Sequence, residues 1–84
     1  MDKLSIEKIP SGRRGMDTMK ISGFMDGELA ELKRVSNGEA RNMLITMIDR
    51  RNNGIATCWY RGNGIYSVWF DNEAAYMNIG SSCD

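Results

Sequence analysis

The chain has 84 residues, 42% of them hydrophobic and 26% charged, with 11 basic and 11 acidic side chains and no histidine. That length suits one domain, 1–84, and that composition excludes wholesale disorder. A formal charge of zero supplies no overall field to draw the chain to nucleic acid or an anionic membrane.

The first residues, MDKLSIEKIPSGRR, hold no apolar run of signal-peptide length, and no later stretch approaches the ~20 apolar residues of a membrane span. A cytoplasmic chain with no membrane contact is expected. In residues 3–9, KLSIEKI, Leu4 and Ile6 alternate with polar neighbours, as in a half-buried strand. Pro10 ends it, and Ser11-Gly12-Arg13-Arg14-Gly15 has the composition of a loop, so the segment 1–15 is expected to be loosely held. Arg13 and Arg14, set between glycines, are candidates for a nucleic-acid contact; solvated loop charge is the ordinary reading of the same pair.

Residues 17–25, DTMKISGFM, set Met19, Ile21 and Gly23 against Lys20 and Ser22 and suggest a second strand. Asp26-Gly27 is a preferred dipeptide of the type I′ hairpin turn. The following ELAELKRV, Glu28 to Val35, reads as the returning strand or, with Leu29, Leu32 and Val35 at spacing three, as a short helix. The local Asp-Gly signal favours the strand. Ser36-Asn37-Gly38-Glu39 then fits a capping box. Ala40, Met43, Leu44, Met47 and Ile48 recur at the spacing of one helical face, and Arg50 and Arg51 suit the last turn. Asn53-Gly54 supplies the stop, so an amphipathic helix is expected over about 37–52.

The stretch 55–70, IATCWYRGNGIYSVWF, organises the rest: two aromatic-rich strands around an Arg61-Gly62-Asn63-Gly64 turn. Alternation places Ile55, Thr57, Trp59, Tyr66, Val68 and Phe70 on a core face and leaves Tyr60 and Trp69 on the other. Residues 74–79, AAYMNI, read as a further strand or as a short helix begun by Asp71, and 80–84 as a frayed tail. The expected fold is α+β: an antiparallel sheet of four or five short strands with one amphipathic helix packed on a single face, in the order β-β-α-β-β with a possible fifth strand.

Catalytic chemistry finds little footing. Without histidine the Ser-His and Cys-His nucleophile arrangements are gone, and the two cysteines, Cys58 and Cys83, lack metal-ligand spacing. They also make no disulfide framework and are read as reduced. No phosphate loop or dinucleotide fingerprint occurs, so neither catalytic nor cofactor-binding nor metal-binding residues are assigned. Carboxylates could still converge, but solvated charge is the simpler account of them. Binding remains. Tyr60 and Trp69 are large amphipathic anchors of the kind that dominate interfaces, and Arg41, Arg50, Arg51 and Arg61 are expected to gather around the helix and the hairpin turn. Seven methionines add a further adaptable surface or an irregular core.

The expected function is a non-enzymatic protein-binding module, monomer or homodimer. It would be a small inhibitor or accessory protein occluding a larger complex of nucleic-acid processing or host defence, and phage-encoded anti-CRISPR-like inhibitors are one such class. The second reading is a nucleic-acid-binding module with arginines on phosphates and Tyr60 or Trp69 stacked on bases.

Overall fold

The computed structural model describes residues 3–10, 16–56 and 65–80. Six elements follow in order: β1 (Ser5–Pro10), β2 (Met16–Ser22), α1 (Glu28–Arg34), α2 (Asn37–Arg51), β3 (Ile65–Phe70) and β4 (Ala75–Gly80). The strands form one antiparallel sheet in the spatial order β1-β2-β4-β3. The α+β class expected from the sequence is therefore the class observed. Pro10 is the last residue of edge strand β1, a place in a sheet where proline is tolerated.

The stretch that reads as a strand or a short helix at 74–79 is a strand, and an interior one. β4 pairs with β2 on one side and with β3 on the other. Ala75, Met77 and Ile79 are all buried on its core side, and the small Ala74 and Gly80 at its ends are buried as well. Register then sorts the sheet into two faces. Ile6, Ile21, Ala75 and Phe70 lie across from one another, as do Met19, Met77 and Val68, and these rows face the helices. Leu32 of α1 and Leu44 and Ile48 of α2 close the core over them, together with Leu4 and Ala56.

Residues 28–34 correct the expectation of a returning strand. A type I′ turn needs positive φ at both central residues. Gly27 has φ +86°, but Asp26 does not share it: Asn53 is the one non-glycine residue with positive φ among the described residues. Gly27 instead precedes a helix. Glu28 and Glu31 occupy its first turn and Lys33 and Arg34 its last, the charge order a helix dipole favours. Tertiary contacts settle the choice. Leu32 is fully buried, and Arg51, a residue only 6% exposed, pairs its guanidinium with the Glu28 carboxylate at 3.0 Å and donates to the Gly23 carbonyl at 3.4 Å. The sheet is thus covered by two helices where the sequence suggested one.

α2 begins as expected, with the Ser36 hydroxyl accepting from the Glu39 amide at 3.2 Å. Ala40, Leu44 and Ile48 are buried, and Met43 and Met47 flank them. The helix stops where Asn53 and Gly54 turn left-handed at φ +58° and +77°. Asn52 at its end receives Leu4: the Leu4 N–H donates to Asn52 Oδ1 at 3.0 Å, and Asn52 Nδ2 donates to the Leu4 carbonyl at 2.9 Å. One side-chain amide thereby serves both backbone groups of Leu4, as a neighbouring strand would.

Ile55 is a second correction. It was expected on the core face of a strand, yet Ile55 and Ala56 are helical, with Ile55 42% exposed and Ala56 filling the core. The left-handed turn at Asn53-Gly54 swings the chain around and inverts which of the two points inward. The rest of that strand, Thr57 to Tyr60, and the Arg61-Gly62-Asn63-Gly64 turn lie outside the described residues, as do the side chain of Tyr66 and the tail beyond Gly80. For β3 the alternation holds: Val68 is buried, Phe70 half-buried and Trp69 exposed. Of the methionines without a sequence-based place, Met19 and Met77 are core and Met25 is 55% exposed.

Candidate functional site

The sheet face opposite the helices carries two cross-strand rows. Glu7, Lys20, Tyr76 and Trp69 lie abreast on β1, β2, β4 and β3, and beside them run Ile9, Thr18, Asn78 and Ser67. Trp69 and Tyr76 stack, with ring centroids 5.6 Å apart and planes 7° from parallel. Cross-strand aromatic pairs of this kind hold each other's rotamers and contribute beyond their buried area. Trp69 is nevertheless 41% exposed. It is a large ring presented to solvent in a held orientation. In the second row the Thr18 hydroxyl donates to Asn78 Oδ1 at 2.8 Å, which ties β2 to β4 under the same face.

The β3–β4 turn frames one end of the stack. Asp71 Oδ1 accepts from the Glu73 and Ala74 amides at 2.8 and 2.7 Å, and Oδ2 accepts from the Tyr76 hydroxyl at 2.6 Å. The hydroxyl first, then the two amides, hold the Asp71 carboxyl down at a pKa of about 2 against an ordinary 3.8, and Lys20 adds a smaller pull. Tyr76 moves the opposite way. Its hydrogen bond to Asp71, then desolvation, then the charges of Asp71, Glu73 and Glu7, raise it above the usual phenol value of 10.0. The aromatic pair therefore sits in a field of three carboxylates, with Lys20 the ammonium among them.

The sequence-derived site residues do not gather in one place. Trp69 is on the open sheet face. Arg41, Arg50 and Arg51 belong to α2, which packs on the opposite face. Arg51 is buried and braced against Glu28 of α1. Arg50 is exposed and Arg41 half-buried, and nine positions at about 100° each put them about 180° apart around the helix. No basic patch forms from them. Tyr60, Arg61, Arg13 and Arg14 lie outside the described residues.

Tyr76, Asp71, Lys20 and Glu7 enter the site from the structure alone. The alternation of Ala75, Met77 and Ile79 against Tyr76 and Asn78 already places Tyr76 outward if 74–79 is a strand. That it lies against Trp69 follows only from the β3–β4 register. Among the described residues no group of three or more Asp, Glu or Cys side chains is arranged to hold a metal ion, and no helix is long and apolar enough to cross a membrane. The arrangement presents a flat, polar-rimmed aromatic surface suited to binding. No protein-family model matches the chain, and comparison with curated proteins and with solved structures gives no match either.

Proposed function

We propose that this chain is a non-enzymatic protein-binding module that docks on a larger protein through the open face of its sheet, with Trp69 and Tyr76 at the centre of the contact. It acts in the cytoplasm by occlusion, as a small inhibitor or accessory protein. A host-defence or nucleic-acid-processing complex is the class of target, and a phage anti-CRISPR-like role is one form of it. The observation that carries the reading is a tryptophan 41% exposed on a strand while its plane is held by a stacked tyrosine. A pre-oriented aromatic loses little side-chain entropy on binding and is the residue type most enriched at interface hot spots. The nucleic-acid reading draws less support, because Glu7, Asp71 and Glu73 act on the Tyr76 hydroxyl and α2, with its arginines, packs on the other face of the sheet.

Affinity capture from a host lysate with wild type and Trp69→Ala, followed by titration of the purified captured protein, tests this. Wild type is expected to retain a partner that the variant loses, with unchanged circular dichroism. Equal capture by both proteins would remove the open face from the account. Recovery of nucleic acid alone, weakening steeply with salt, would move the function to the second reading.

A further inference from the structure

Resting on that docking reading, we infer that the open face takes a basic protein surface, and that an arginine side chain of the partner lies over the Trp69–Tyr76 stack and reaches the Asp71–Glu73 turn. Charge complementarity is the first argument. Glu7 shares a cross-strand row with Tyr76, Asp71 accepts from its hydroxyl and Glu73 lies in the adjoining turn, so among the described residues these three carboxylates outnumber the one ammonium, Lys20, that stands with them. An acidic or phosphate-bearing partner would meet like charge here. Such juxtapositions suppress wrong partners more than they strengthen right ones.

Ring geometry is the second argument. Tyr76 covers one face of the Trp69 indole, so the exposure of Trp69 belongs to the face and edge turned away from it. A planar guanidinium stacks on an indole face and keeps its N–H donors in the ring plane, free to bond a carboxylate beside it. Asp71, the residue that follows β3, accepts from the Tyr76 hydroxyl, and Glu73 lies in the same turn, so both carboxylates stand at one end of the stack, beyond the ring edge. An ammonium offers a point charge without the planar overlap, so lysine is the poorer occupant.

The test uses the intact chain, with tetra-arginine, tetra-lysine, tetra-glutamate and an oligothymidylate as probes at low salt. Binding is read from the Trp69 indole N–H and Tyr76 ring signals in NMR spectra. Tetra-arginine is expected to shift both, tetra-lysine to bind more weakly, and tetra-glutamate to leave them unmoved. Removing two surface charges by Glu7→Gln with Glu73→Gln is expected to weaken tetra-arginine binding about five-fold, from roughly half a kcal/mol per exposed pair. The helix-side double variant Glu31→Gln with Glu39→Gln changes net charge equally and is expected to leave binding unchanged. Equal weakening by the two double variants would reduce the effect to bulk charge and overturn the inference. So would unmoved Trp69 signals, or a stronger response to oligothymidylate. If the arginine arm fails while Trp69→Ala still abolishes capture of the lysate partner, the docking face stands and only its assigned chemistry falls.

Discussion

Asp71 shows how much a single exposed side chain can organise. Its two oxygens close the β3–β4 turn and fix the Tyr76 hydroxyl, and through Tyr76 they fix the plane against which Trp69 stacks. Because the folded carboxyl titrates near 2 and the unfolded one near 3.8, its contribution to stability is present above pH 3.8 and is lost as the pH falls through about 2. Carbon-13 titration of Asp71 should give a midpoint near 2, and Tyr76→Phe should move it upward by removing the largest cause. A midpoint unchanged in Tyr76→Phe would detach the hydroxyl from the shift. Tyr76 has the opposite sense: its raised pKa means that the bonded phenol stabilises the hairpin below pH 10 and lets go as the pH rises beyond it. Arg51 is the other decisive residue. Glu28→Gln removes a carboxylate paired with a buried guanidinium and should cost about 2 kcal/mol in chemical denaturation, while Arg51→Met, which removes the buried charge itself, should cost less. The reverse order would mean that the pair matters through its bulk.

At the level of elements, local signals succeed where they are self-contained. The Ser36 cap and the Asn53-Gly54 stop need nothing beyond α2, and both appear where the sequence puts them. Ser36→Ala should therefore cost about 1 kcal/mol, and Ser36→Asp close to nothing, in thermal unfolding. An alanine variant as stable as wild type would show that the hydroxyl contributes little. α1 is the opposite case. Asp26-Gly27 is a strong turn dipeptide, but the same glycine can open a helix, and seven residues of helix have little stability of their own. Leu32 in the core and Glu28 on Arg51, 23 positions away, decide the matter. Gly27→Ala at φ +86° should cost about 1–2 kcal/mol, since the strained backbone is kept while the glycine that tolerates it is gone.

Across the described residues, both helices pack on one side of the sheet while Trp69 is 41% exposed on the other, and that asymmetry makes the tryptophan a candidate contact. Met77 and Leu44 face each other's layer in the fully buried core, so truncating either to alanine should cost about 3 kcal/mol, a large part of the margin of so small a domain. Trp69→Ala, on the side away from the helices, should cost under about 1 kcal/mol by the same denaturation assay. Comparable losses at Met77 and Trp69 would mean that the open face is part of the core. By itself the sequence determined the α+β class, the position and both ends of α2, and the inward and outward sides of β2 and β3. Each depends on periodicity or capping within one segment, and the chain carries that information locally. Only the tertiary structure decided that residues 28–34 are helical, that β4 runs between β2 and β3, and that Tyr76 stacks on Trp69. Those outcomes depend on which residues meet across long stretches of chain, through burial and a buried ion pair, and no single segment records its future neighbours.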